Sequence, residues 1–196
     1  TLEIIYAFPL ACGAALLGMT VTMGIKRLDA TVVARNEARE RYENAFDDGD
    51  APVLVEQSAP DLYTIALGNI EDGEDVVVEL HYAQLLALEQ GRVRLSVPCV
   101  LAPRYNAPCG KDGLAPYAIT SSDISAEYPL TITILLRGQA AKAMIRCPSH
   151  TFSVREMGNG LTIIVNEDAM LDRDFILTLE EMEECSFALS SPDFGK

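Results

Sequence analysis

Residues 7–27 read AFPLACGAALLGMTVTMGIKR, a stretch almost free of charge that closes on Lys26 and Arg27. It has the apolar content of a membrane segment or a signal peptide, and its period decides between these and a strand. Leu17, Met19, Val21, Met23 and Ile25 alternate with Gly18, Thr20, Thr22 and Gly24. A repeat of two places the large apolar side chains on one face of an extended chain, which predicts a half-buried strand. A spanning helix needs about 20 apolar residues with few breaks, and Pro9, Gly13, Gly18 and Gly24 interrupt this run. A signal peptide needs a basic segment before its apolar core, whereas Thr1-Leu2-Glu3 carries an acid. Residues 3–8, EIIYAF, read as a second strand ended by Pro9.

The same style continues along the chain. Val76, Val78, Leu80 and Tyr82 share a face, as do Val93, Leu95 and Val97, and Leu130, Ile132, Ile134 and Leu136. Residues 161–165 and 174–180 read as further strands. Asp72-Gly73 and Asn159-Gly160 supply turns, the second between two strand patterns as in a tight hairpin. Many short strands with turns between them predict a mainly β protein built as an antiparallel β-sandwich.

One segment departs from this. Residues 34–49, ARNEARERYENAFDDG, are rich in helix formers and lack β-branched side chains. Ala34, Ala38, Tyr42, Ala45 and Phe46 form a stripe at helical spacing. A single inserted helix is expected at about residues 35–48, with Asn36 as N-cap and Gly49 as the left-handed stop. Glu37 with Arg41 and Arg39 with Glu43 have the spacing for ion pairs along it.

Composition narrows the partners. The 196 residues carry 29 acidic and 15 basic side chains, a net charge of −14. With four lysines and no basic stripe, duplex nucleic acid and anionic membrane surfaces are disfavoured. A chain of this length buries roughly 70% of its unfolded surface and needs neither disulfide nor metal to fold. The five cysteines, at 12, 99, 109, 147 and 185, form no disulfide framework and no CxxC metal pair. They read as reduced, mostly buried thiols, with nothing in the sequence to support the alternative of a Cys99–Cys109 bridge across the loop. Thiols of this kind favour a reducing interior, and no targeting segment fixes the compartment.

Catalytic signatures are equally sparse. The two histidines, His81 and His150, stand in no recognisable metal-ligand motif, so no metal and no cofactor are expected. Cys147 and His150 stand three apart, but no oxyanion-hole pattern accompanies them. GxSxG, GxGxxG and Walker patterns are absent, and the run at 180–184, EEMEE, reads as a solvated charged segment.

A family resemblance is carried by YAFPL (6–10), GIKR (24–27), NEARERYENAFDDGDAPVLVEQ (36–57), LYTIALGNIEDGEDVVVELHY (62–82) and PCVLAPRY (98–105). In this order they resemble the VIT domain, found in vault protein and inter-alpha-trypsin inhibitor heavy chains. Residues 128–180 resemble the β-rich segment that follows it, with CPSH (147–150) similar to its small-Pro-x-His turn. The family normally places a strand pair before the Phe-Pro strand, and Thr1 falls inside or just before that strand; if those strands are missing, the sheet keeps an open edge. The family's Phe-Pro-Leu-Pro reads Phe8-Pro9-Leu10-Ala11 here.

The resemblance implies a VIT-like sandwich at 1–105, a linker at 106–127 and a second β-rich unit at 128–196 that packs on or completes the first. It implies a non-catalytic protein-interaction or scaffold module of a larger VIT/von Willebrand A-type protein, whose partner is another protein or a downstream domain. Asp123-Ile124-Ser125-Ala126-Glu127 fails the Asp-x-Ser-x-Ser cation motif of the A domain, which is expected beyond Lys196 if present. Two alternatives stay open: an assembly subunit, possible homo-oligomer, joined through open sheet edges, and a glycan- or ligand-binding sandwich. The residues singled out for interaction or structure are Arg39, Tyr42, Glu43, Asn69, Arg104, Tyr105 and His150. Gly68-Asn69-Ile70 and Asp72-Gly73-Glu74 read as backbone turns, and Tyr42 and Phe46 as the residues that hold the helix on the sheet.

Overall fold

The computed structural model describes residues 2–100, 128–158 and 160–183. The described chain divides into two units. The first holds residues 2–85, 97–100, 128 and 170–174, the second residues 86–96, 129–158, 160–169 and 175–183. Arg104, Tyr105, the 106–127 linker, Cys109, Asn159 and Cys185 lie outside the described residues.

In the first unit the alternating segments become β1 (Leu2–Pro9), β2 (Ala15–Met23), β3 (Lys26–Asp29), β4 (Val53–Ala59), β5 (Leu62–Ile70) and β6 (Val76–Ala83). They form two antiparallel sheets of three strands, in the orders β1-β5-β4 and β3-β2-β6. Phe8, Leu10, Met19, Val21, Met23, Ile65, Leu67 and Ile70 form one buried cluster, against which Val76, Val78 and Leu80 of β6 pack. Each large apolar side chain so buried contributes about 1.5–3 kcal/mol, and within the strands the period of two delivers most of them to the inner face.

Two members of the β2 pattern behave otherwise. Leu17 is 70% exposed. The β2–β6 register runs Leu16↔Tyr82 and then Gly18↔His81, so Leu17 is the extra residue of a bulge and is turned out. Ile25 is fully exposed. Met23 pairs with Lys26, which makes Gly24-Ile25 the two-residue hairpin loop rather than the end of the strand.

Pro9 also has a position that suits it. Leu10 N–H donates to Asp61 O at 2.8 Å, in line with the β1–β5 register. Antiparallel pairs alternate, so Ile4, Tyr6 and Phe8 direct their backbone groups at β5 while Ile5, Ala7 and Pro9 direct theirs away. The residue without an N–H thus falls where β5 asks for none.

The helix α1 runs Arg35–Asp47. Asn36 does not cap it: Ala34 is the N-cap residue, extended at φ −63 and ψ 142, with no side-chain cap. The N-cap falls two residues earlier, and Arg35 ties the first turn to β4, donating to Gln57 O at 2.7 Å and pairing with Glu56 at 3.3 Å. At the other end Gly49 adopts φ 83 and its N–H donates to Phe46 O at 3.1 Å.

The second unit contains β7 (Leu88–Glu89), β8 (Arg92–Val97), β9 (Thr133–Arg137), a 3-10 turn (Gly138–Lys142), β10 (Met144–Arg146), β11 (Phe152–Met157), β12 (Gly160–Val165) and β13 (Phe175–Glu180). Its sheets have the orders β10-β13-β8-β7 and β11-β12-β9. The hairpin of β11 and β12 closes with Met157 opposite Gly160. Alternate residues of β13, Phe175, Leu177 and Leu179, are buried. Glu180 pairs with Arg146 at 2.8 Å and Arg92 at 3.6 Å. Residues 86–96, placed before the linker by the sequence reading, lie in this unit because β8 aligns beside β13. Of the cysteines described, Cys12 is exposed and Cys99 and Cys147 are half-buried, less buried than expected. Among the described residues no helix is long and apolar enough to cross a membrane.

Candidate functional site

Four of the singled-out residues, Arg39, Tyr42, Glu43 and Asn69, gather around α1. The helix has no fully buried residue, so its placement depends on a few specific contacts. The rings of Tyr42 and Phe46, one turn apart, stack with centroids 6.2 Å apart. They sit over Gly68, where an added Cβ would stand 2.6 Å from Phe46 Cδ2 and 3.1 Å from both Tyr42 Oη and Pro52 Cγ. Only a residue without a side chain allows that approach.

Asn69 follows at φ 53, a left-handed conformation within β5 rather than a free turn. The register of β1 with β5 shifts there, from Ile4↔Leu67 to Leu2↔Ile70, which marks a bulge. The bulge aims the Asn69 amide at the end of the helix, where Nδ2 donates to Phe46 O at 2.8 Å and Asp50 O at 2.7 Å. Phe46 O, in the last turn of the helix, also accepts the Gly49 N–H, and Asp50 O belongs to the turn that follows.

Arg39 does not pair with Glu43. Its guanidinium reaches β4 and grips Glu56 through Nε at 3.0 Å and Nη2 at 3.1 Å. A fork-on-fork pair is better satisfied than a neighbour on the same helix. Glu37 does pair with Arg41 along the helix, as its spacing predicts.

Tyr42 Oη donates to Glu3 Oε1 of β1 at 3.0 Å. Burial, then the hydrogen bond to Glu3, then the Glu3 charge raise the phenol's pKa above its ordinary value. The folded state holds this proton more tightly than the unfolded chain. The resulting stability is fully present below about pH 10 and is lost as pH rises beyond it. Tyr42→Phe is therefore expected to flatten the alkaline decline. Its urea midpoint should fall less than the parent's between about pH 9 and pH 11. Equal declines would remove Tyr42 from that role.

Glu3 and Glu56 are the residues the sequence reading missed. Glu56 lies one strand away from the helix, and nothing local in VLVEQ announces it. Glu3 showed only as a charge in an apolar strand.

His150 belongs to the second unit. Its Nδ1 is 2.9 Å from Ser149 Oγ, and its ring lies 5.8 Å from that of Phe175. Ser149 Oγ accepts the Ile176 N–H at 2.9 Å, so the CPSH turn is stapled to β13. Cys147 Sγ is 3.6 Å from Ser149 Oγ. The His150 Nε2 is buried with no hydrogen-bond partner among the described residues. His81 lies on β6 opposite Gly18 and is exposed.

The elements that hold α1 belong to one stretch of the chain, and residues 1–82 match the family model for the vault protein inter-alpha-trypsin domain. Residues 1–82 form a VIT domain. The chain is also similar to von Willebrand factor A domain-containing protein 5A of Homo sapiens, 33% identical over 107 residues. That match covers 53% of this chain and 14% of the human protein. The Rattus norvegicus protein of the same name is 31% identical over 107 residues, covering 53% of this chain and 13% of its own. Protein mono-ADP-ribosyltransferase PARP4 of Mus musculus is 28% identical over 102 residues, covering 52% of this chain and 5% of its own. The chain thus corresponds to a small part of each relative. Within the VIT domain, the Gly68-Asn69 pair, the Tyr42-Phe46 pair and the Arg39–Glu56 bridge serve one end: they fix a polar helix to a β-sandwich.

Proposed function

We propose that the chain is a non-catalytic interaction or scaffold module of a larger protein, and that its VIT domain docks a downstream domain or a protein partner through α1 and the sheet face beside it. The observation that carries this reading is the investment of contacts in α1. A helix with no fully buried residue is nonetheless held by a bidentate ion pair, an amide cap and two aromatic rings seated over a glycine. Such an anchor leaves the outward side of the helix at a defined position, as a docking surface requires. The three relatives named above are all much longer than this chain, which supports a role as one part of a larger protein.

The test is calorimetric titration of the purified chain with the separately expressed remainder of its parent polypeptide. Saturable binding with a stoichiometry of one is the expected result. Heats no larger than dilution overturn the reading, and self-association of the chain alone favours assembly through its sheet edges instead.

A further inference from the structure

Beside α1, on the outward face of the β1-β5-β4 sheet, lies a cleft of about 590 Å³. Its floor is short and largely apolar, made by Ile5, Leu54 and Ala66 with Thr64 beside them. One wall is the stacked pair of Tyr42 and Phe46. Glu3, Glu43, Asp47 and Glu56 also line it, against one guanidinium among the described residues, that of Arg39. That guanidinium is engaged by Glu56 at 3.0 Å. Glu3 accepts the Tyr42 hydroxyl, and no ion pair engages Glu43 or Asp47 among the described residues.

We infer that this cleft receives an arginine side chain from a basic, extended segment of the docking partner. The inference rests on the docking reading and adds the chemistry of the partner. The charge at the cleft is one-sided. Arg39 is paired with Glu56, and among the described residues Glu43 and Asp47 remain at the rim without a counterion. The floor is largely apolar, which suits the methylene stem of a long basic side chain. The aromatic wall suits a planar cation, since guanidinium stacks on tyrosine and phenylalanine rings. An acidic segment meets repulsion in the same place, and a purely aliphatic one leaves the two rim carboxylates facing its apolar surface.

The net charge of −14 attracts any cation, so the test separates site from surface. The probe is the labelled peptide acetyl-Val-Arg-Val-Arg-Val-amide, and its control carries citrulline at both arginine positions, the same shape without charge. Binding to the whole chain is followed by fluorescence anisotropy. The double variant Glu43→Gln, Asp47→Asn alters exposed side chains and is checked for an unchanged thermal melt. The reference double variant Glu167→Gln, Asp168→Asn removes the same charge from the second unit. The expected result is saturable binding to the parent chain, weakened about ten-fold or more in the cleft variant and within about two-fold of the parent in the reference variant. The citrulline peptide is expected to lose about as much. Equal weakening in the two variants, citrulline binding as well as arginine, or no saturation by about 1 mM peptide overturns the inference. The docking reading is judged separately: if the rest of the parent polypeptide binds the cleft variant as tightly as the parent chain, docking stands and the arginine cleft falls.

Discussion

Replacing Gly68 with valine is expected to lower the stability of the VIT domain by about 2–3 kcal/mol, the upper range for overpacking a closely fitted site. The Gly68 backbone does not have the left-handed φ seen at Asn69, so the penalty is one of space alone. The first added carbon already stands 2.6 Å from Phe46 Cδ2, and Pro52 and Tyr42 close the other sides at 3.1 Å. Pro52 moves little, because its carbonyl accepts the Gly68 N–H at 3.0 Å. The strain therefore falls on the helix, whose two rings must lift away from β5. Far-ultraviolet dichroism reads the urea midpoint, since the chain has no tryptophan. Valine at 68 should lower the midpoint. Phe46→Ala in the same chain should recover about 1 kcal/mol relative to the sum of the single changes, because the two side chains contend for one space. A strictly additive pair of changes would show that the ring and the glycine do not set each other's position. The same displacement moves the aromatic wall of the cleft, so peptide binding should weaken along with stability.

The fold was legible where the period was clean. Met19, Val21 and Met23, and later Phe175, Leu177 and Leu179, alternate without a break, and the structure buries every one of them. The pattern misled at Leu17 and Ile25, which carry the right side chains at the right spacing. A bulge at one end of β2 and a two-residue loop at the other shift their side chains out of phase with the strand. Bulges and loop lengths are settled by the pairing partner, and a strand read by itself has no partner. Arg39 gives the same lesson for charges. Glu43 was the acid at helical spacing, while the acid that takes Arg39 is Glu56, 17 residues on and held at hand by the sheet. Local spacing ranks only the neighbours it can see. Tyr42, Phe46, Gly68 and Asn69 were noticed for their order along the chain, and that order did not reveal that the glycine and asparagine serve the helix. The two pairs lie 23 residues apart and meet only when β4 has returned the chain to the sheet.

Asn69→Ala is expected to cost about 2 kcal/mol, and the order of a short substitution series shows why. Two separate needs meet at this position. The backbone sits at φ 53, which glycine takes freely, asparagine tolerates and alanine resists. The side chain donates two hydrogen bonds, to Phe46 O and to Asp50 O, on the carbonyls that close the helix and its following turn. Asn69→Gly relieves the first need and leaves the second unmet, so about 1 kcal/mol is its expected cost. Asn69→Ala adds the left-handed penalty to the lost bonds. Asn69→Asp tolerates the backbone but turns an acceptor-only carboxylate toward two carbonyl oxygens, at the end of the helix dipole that already carries partial negative charge. Its cost should equal or exceed that of alanine, and should shrink on acidification as the carboxyl gains a proton to donate. Urea midpoints for the three variants at neutral and mildly acidic pH decide the matter. If glycine and alanine destabilise equally, backbone strain is absent. If aspartate behaves like asparagine, the amide does not cap the helix, and α1 is then held by its rings and its arginine bridges alone.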